Sequence, residues 1–160
     1  MGKSTLLRRL LEGAPCSVGG FYTVKTTEVF GAPSVHLLPT GKTVQTNEEN
    51  LLFVCGTEPT QKDAERFARL GCAALENCGE AELLVMDELG PREAAAEAFQ
   101  SAVFSALNGE RLVLGVLQKA DSAFLRRVAE HPAVEVITVT RENRDALVPF
   151  LHRQMLQRLK

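Results

Sequence analysis

The stretch LLVMDE, residues 83–88, sets the fold class of this chain of 160 residues. Its four apolar residues in a row are typical of a short strand that is buried on both faces. Asp87 and Glu88 follow at the carboxyl end of that strand, which is the edge where α/β sheets bind ligands. The stretch therefore predicts a buried strand of an α/β sheet that carries two carboxylates to a functional site.

Short apolar segments alternate with helical patterns on both sides of this stretch. Further strands are predicted at residues 21–26, 35–38, 112–117 and 134–139, and helices at 5–11, 60–77, 91–107, 121–131 and 147–159. The first two strands are close enough in sequence to form a hairpin. The alternation predicts one domain over residues 1–160, a three-layer α/β sandwich whose sheet is mostly parallel.

The charge balance narrows the class of partner. The chain has 18 basic and 20 acidic residues and a net charge of −2, so it offers no electrostatic footprint for nucleic acid or an anionic membrane. Its four cysteines form no C-x-x-C pair and lie among apolar neighbours, a pattern typical of buried thiols in a reducing compartment. We therefore expect a cytoplasmic protein that binds neither nucleic acid nor membrane.

A second motif stands at the start of the chain. Residues 2–5, Gly-Lys-Ser-Thr, match the last letters of the phosphate-loop signature G-x-x-x-x-G-K-[ST]. In such a loop Lys3 bridges the β- and γ-phosphates, the Ser4 hydroxyl ligates Mg²⁺, and the helix N-terminus attracts the anion. Four letters at a helix start also occur by chance in a capped surface helix, so this motif alone leaves both readings open.

The carboxylate pair complements that motif. An acid at the position of Asp87 can hold Mg²⁺ through its water shell, and an acid at the position of Glu88 can orient or deprotonate an attacking water. The alternative is a pair of exposed acids beside a helix N-terminus, which the helix dipole alone would favour. The two motifs together favour a Mg²⁺-dependent nucleotide site.

These motifs belong to a wider resemblance. The chain resembles the THEP-type (cancer-related) P-loop nucleoside-triphosphatase family. The matching stretches are GKST at 2–5, GGFYT at 19–23, VMDELG at 85–90, LVLGVL at 112–117 and VTRENRDALVPF at 139–150. The resemblance implies Mg²⁺-dependent hydrolysis of nucleoside triphosphates such as ATP and GTP, with broad base tolerance and slow turnover.

The resemblance also implies roles for single residues. It puts Lys3, Ser4 and Asp87 on the phosphate and magnesium positions and Glu88 on the catalytic acid, and the same loop contains Gly2 and Thr5. Two residues of the last motif, Asn143 and Arg144, are assigned to nucleotide contact. For Arg144 the alternative is a helix-start residue in a surface ion pair.

The family's first strand and the glycine-rich front of its loop have no counterpart before residue 2. Each missing backbone N–H bond to a phosphate would be worth about 1.5–3 kcal/mol, so we expect weak hydrolysis by the chain as written. We also expect Met1 to be an internal position of a longer reading frame, whose extra strand would lie between residues 112–117 and 134–139.

Two other functions remain open at this stage. The chain could be a non-catalytic binding protein of the same fold, or a small-molecule or nucleotide kinase. A binding protein has no physical need for both Asp87 and Glu88, so the pair favours an enzyme.

Overall fold

The computed structural model describes residues 2–14 and 16–159, and within them it has one five-stranded sheet with helices on both faces. The strands are β1 (Val18–Thr26), β2 (Ser34–Pro39), β3 (Leu51–Val54), β4 (Leu83–Leu89) and β5 (Leu112–Leu117). The helices are α1 (Lys3–Glu12), α2 (Gln61–Arg66), α3 (Cys72–Glu76), α4 (Glu97–Asn108), α5 (Ala123–Ala129) and α6 (Arg144–Arg158). The predicted α/β sandwich is confirmed. None of these helices is long and apolar enough to cross a membrane.

The strand order is β3-β2-β1-β4-β5. Strand β4 pairs in parallel with both neighbours, so that Asp87 lies opposite Tyr22 of β1 and Val116 of β5. The pairs β1–β2 and β2–β3 are antiparallel. The sheet is therefore mixed rather than mostly parallel, because the short connection between β1 and β2 permits only a hairpin.

Two hydrophobic clusters cover the two faces of the sheet. Helices α2 to α5 bury one face, where Phe21, Phe67, Phe99 and Met86 are almost fully enclosed. Helices α1 and α6 cover the other face over β4 and β5. Successive side chains of a strand point to opposite faces, so Asp87 follows Val85 on the α1 face.

Close contact between β1 and β4 depends on Gly20. This residue has φ +100°, and a Cβ placed on it would clash with the carbonyl oxygen of Val85. Every other residue would be strained there and would also push the two strands apart. Gly20 thus fixes the distance between β1 and the strand that carries the acids.

The helix predicted at 60–77 and the helix predicted at 91–107 are both interrupted. The first begins with the expected capping box of Thr60 and Asp63 but contains a π-helical turn at Phe67–Gly71. The second is a 3₁₀ helix at Pro91–Ala95 followed by α4. The helix at 121–131 is capped by Ser122, one residue after Asp121, and forms α5.

The predicted strand at 134–139 was wrong. These residues form no ladder, and the outer edge of β5 has no strand partner in the part of the chain that the structure describes. A strand is stable only when its backbone groups find a neighbour, and its apolar sequence alone does not supply one. The expected extra strand between the two segments stays a prediction, and Met1 lies outside the described residues.

Candidate active site

The N-terminus of α1 lies at the carboxyl edge of the sheet. Leu6, Leu7 and Leu10 anchor α1 in the cluster over β4 and β5. Gly2 precedes the helix with φ +86°, and no side chain caps its first turn. The first-turn N–H groups therefore stay available to an anion, as the phosphate-loop motif predicts.

Lys3 joins this helix end to the acidic pair. Its Nζ donates a hydrogen bond of 2.9 Å to the carbonyl oxygen of Leu117, the last residue of β5. The same Nζ lies 3.5 Å from Oε2 of Glu88. The fold thus brings together the two motifs that the sequence places far apart.

Asp87 is the buried member of the pair, with 9% of its surface exposed. Burial and, to a lesser extent, the charge of Glu88 raise its pKa to about 6, although the cations of Lys3 and Arg8 act to lower it. Its carboxylate accepts no hydrogen bond from any of the described residues. A buried carboxylate in this state is well suited to a bound cation.

A third carboxyl group, which the sequence analysis left unassigned, lies behind the pair. Glu93 is 4% exposed and accepts a hydrogen bond from the backbone N–H of Gly90. Burial, with a smaller contribution from the charge of Glu88, raises the pKa of Glu93 to about 8, although backbone hydrogen bonds from Gly90 and Glu93 act to lower it. The spacing from Gly90 to Glu93 is that of a capping box, which was the available signal.

Arg92 ties the same turn to α2, to β3 and to the loop after β3. Its guanidinium donates to Asp63 at 2.8 Å and to the carbonyl oxygen of Thr57 at 2.8 Å, and it lies 4.1 Å from the ring centre of Phe53. Burial acts to raise the pKa of Asp63, but hydrogen bonds from Arg92 and Thr60 outweigh it and lower the pKa. The turn after Glu88 is therefore held by the hydrogen bond of Glu93 to Gly90 and by the contacts of Arg92.

Arg144 lies against the start of α1. A Cβ placed on Gly2 would be 2.8 Å from Cδ of Arg144 and 2.9 Å from one of its terminal nitrogens. The structure thus brings the arginine to the helix end that carries Lys3. Among the described residues its guanidinium forms no ion pair, so the surface ion pair considered from the sequence is not seen.

The other predicted contacts differ in their surroundings. Ser4 and Thr5 are exposed in the first turn of α1. The Asn143 side chain accepts a hydrogen bond from the N–H of Thr140 at 2.7 Å and donates one to the carbonyl oxygen of Thr138 at 2.9 Å. Asn143 therefore holds the turn before α6, and its contact with a nucleotide stays a prediction.

The donor set fits a hard cation that brings its own water. Within residues 2–14 and 16–159, no group of three or more His, Cys, Asp or Glu side chains is arranged to hold a metal ion. Mg²⁺ commonly uses one or two protein oxygens and takes its remaining ligands from water and substrate phosphates. The Ser4 hydroxyl and the Asp87 carboxylate are oxygen donors of that kind.

Comparison with known proteins agrees with this geometry. A family model described as NTPase matches residues 1–151. The nucleoside-triphosphatase THEP1 of Methanosarcina acetivorans is 30% identical over 169 aligned residues, which cover 99% of this chain and 93% of that protein. The THEP1 of Thermofilum pendens is 38% identical over 85 residues, 52% of this chain and 47% of that protein, so this second match spans about half of the relative.

The fold has a counterpart among solved structures. The crystal structure of THEP1 from Aquifex aeolicus superimposes with a TM-score of 0.72 at 18% identity, covering 96% of this chain and 92% of that one. An α/β sheet with a lysine-bearing helix start and two acids at one edge is typical of proteins of the P-loop type. The chain belongs to the NTPase family, and its resemblance to the THEP-type members is confirmed.

Proposed function

We propose that this protein hydrolyses nucleoside triphosphates to the diphosphate and inorganic phosphate with the help of Mg²⁺. The observation that carries the proposal is the position of Lys3, between Glu88 and the end of β5 and close to the charge of Asp87. The names of the THEP1 relatives add independent support for the reaction class.

The phosphates would bind at the start of α1. Its free first-turn N–H groups, with Gly2 and Thr5 in the loop and turn, give a positive end to the helix dipole. Lys3 would leave Glu88 and contact the β- and γ-phosphates, and Arg144 would add a second cation beside Gly2. All of these groups face phosphate rather than base, so we expect broad base tolerance.

Mg²⁺ would be held by the hydroxyl of Ser4 and, through water, by the carboxylate of Asp87. When bound, the ion would neutralise part of the charge on the β- and γ-phosphates. A cation beside Asp87 would also relieve the cost of keeping that carboxylate ionised in a buried position.

Glu88 would then act on the attacking water. Once Lys3 has moved to the phosphates, the Glu88 carboxylate is free to accept a proton from the water as the new P–O bond forms. The bond from the γ-phosphorus to the bridging oxygen breaks, and the diphosphate leaves. We expect slow turnover, as the resemblance to the THEP-type family implies.

The test is the Glu88→Gln variant. We expect unchanged binding of a fluorescent triphosphate analogue and about 10²–10⁴-fold slower phosphate release, the usual scale for a general base. Lys3→Ala should weaken the binding itself, because it removes a charge from the phosphates. Glu130→Gln, an exposed and distant change of the same chemistry, is the control. Turnover in Glu88→Gln equal to that of the parent would remove Glu88 from the mechanism.

A further inference from the structure

Gln118 is the residue that follows β5, next to Leu117, whose carbonyl oxygen holds Lys3. Its backbone N–H donates a hydrogen bond of 2.8 Å to the carbonyl oxygen of Leu89, so it is fixed to the end of β4. Its side chain is exposed and makes no hydrogen bond with any of the described residues. The backbone of Gln118 is thus fixed at the edge where the proposed reaction takes place, and its carboxamide is available to a ligand there.

Gly90 leaves room for this carboxamide beside the turn that follows Glu88. Its backbone is extended, with φ −135° and ψ −177°, a conformation that any residue can adopt. A Cβ placed on Gly90, however, would lie only 2.6 Å from Oε1 of Gln118 and 3.6 Å from Oε2 of Glu93. Glycine at this position therefore provides space for the Gln118 side chain rather than conformational freedom.

We propose that Gln118 is a further catalytic residue, which positions the attacking water together with Glu88. The inference rests on the proposed function. A carboxamide has one acceptor oxygen and two N–H donors, so it can accept a hydrogen bond from water and donate one to a γ-phosphate oxygen. Glutamine orients the attacking water in this way in other nucleotide hydrolases. Glu88 takes the proton, and Gln118 exchanges none.

The alternative is an exposed glutamine that only ends a strand. In that case removal of its side chain would leave turnover unchanged, and a methyl group on Gly90 would act only through stability. The two interpretations differ in the coupling between positions 90 and 118. If Gly90 is needed to seat the carboxamide, its replacement matters only while Gln118 is present.

The experiment is a double-mutant cycle of Gln118→Ala and Gly90→Ala in the whole chain. Triphosphate affinity, kcat and thermal stability would be measured for each protein. We expect Gln118→Ala to lower kcat by about 10²-fold, the scale for loss of one positioned hydrogen-bonding group, with unchanged affinity and melting temperature. Gly90→Ala should lower kcat similarly, and the double variant should be no slower than Gln118→Ala. Gln157→Ala, an exposed change on α6, is the matched control.

The outcomes separate this inference from the proposed function. Parent-like kcat in Gln118→Ala would overturn the role of Gln118 while leaving the hydrolase intact. If the effects of Gln118→Ala and Gly90→Ala on kcat are fully additive, Gly90 does not act by making room for the Gln118 carboxamide. If the unaltered chain neither binds nor hydrolyses a triphosphate, the proposed function and this inference fail together.

Discussion

The ammonium of Lys3 lies 3.5 Å from the carboxylate of Glu88, and each side chain is about one-third exposed, at 29% and 35%. A pair this exposed is worth only about 0–1 kcal/mol, so phosphate oxygens can replace the carboxylate at little cost. In the proposed mechanism, Lys3 would move only a short way to the phosphates, and its departure would leave the Glu88 carboxylate without its ion-pair partner. In that mechanism, binding of the phosphates and release of the base would therefore be coupled through one ion pair.

Asp87→Asn should stabilise the metal-free protein while impairing its use of Mg²⁺. The folded-state pKa of Asp87 is raised from 3.8 to about 6, so its contribution to stability is present at low pH and is lost as pH rises through 6. At pH 8 the change should add on the order of 1–3 kcal/mol to the free energy of unfolding. Thermal melting at pH 8 without metal checks this, and activity should need a higher Mg²⁺ concentration.

Asp121→Asn, at an exposed position, is the control for both measurements. A lower melting temperature for Asp87→Asn at pH 8 would contradict the electrostatic argument. An unchanged Mg²⁺ titration would contradict the role of Asp87 in holding the metal.

Glu93→Gln should remove a pH dependence of stability. The pKa of Glu93 is raised from 4.5 to about 8, so the parent loses stability as pH rises through this window, by up to about 1.4 kcal/mol per pH unit. A glutamine oxygen can still accept the hydrogen bond from Gly90 but carries no proton to lose. Urea unfolding at pH 6 and pH 9 should show that the free energy of unfolding of Glu93→Gln, relative to that of the parent, is higher at pH 9 than at pH 6. The control Glu97→Gln, at an exposed position, should lose as much stability as the parent between pH 6 and pH 9. If Glu93→Gln also loses as much stability as the parent, the pH dependence does not come from Glu93.

Arg144→Met should weaken triphosphate binding by about 10–100-fold, the value of one charged hydrogen bond. The reason is its contact with Gly2 at the start of α1. Titration of a fluorescent triphosphate analogue measures the effect, and the exposed Arg141→Met gives the matched loss of charge nearby. Equal affinities for the two variants would place Arg144 outside the nucleotide site.

Val136→Lys should reduce self-association. Val136 is 55% exposed in an apolar segment without a ladder, and the outer edge of β5 is unpaired in the described part of the chain. Such segments recruit strands from other molecules, and a lysine opposes this. Light scattering against protein concentration checks the prediction, with Val44→Lys as a control in a different loop. If Val136→Lys and Val44→Lys self-associate to the same extent, the segment around Val136 does not mediate self-association.

The parts of the site that the sequence predicts are those with a local signal. The apolar run before Asp87 and Glu88 defines a buried strand end, and the GKST motif defines a helix start, so their meeting at one edge followed from α/β architecture. The segment at 134–139 had an equally clear apolar pattern. It forms no ladder because pairing depends on a neighbour, which a local pattern does not contain.

The surroundings of the acids depend on tertiary contacts and could not be predicted. Arg92 meets Asp63 and Phe53 only because β3 ends and α2 begins at the edge where β4 ends. The burial of Glu93 also depends on tertiary contacts rather than on its local sequence. For Asn143, a short polar side chain at a helix start suits a ligand and a turn equally well, and the structure shows the turn.

The hydrogen bond between Lys3 and Leu117 spans 114 positions of the chain, which has consequences for how the protein folds. Closing so long a loop costs entropy that is recovered only when both ends are in place. The helices and the β1–β2 hairpin depend on near neighbours and can form earlier. We expect a folding intermediate that has most of the secondary structure but lacks the contact between Lys3 and Leu117. The candidate active site would then form in the last step of folding.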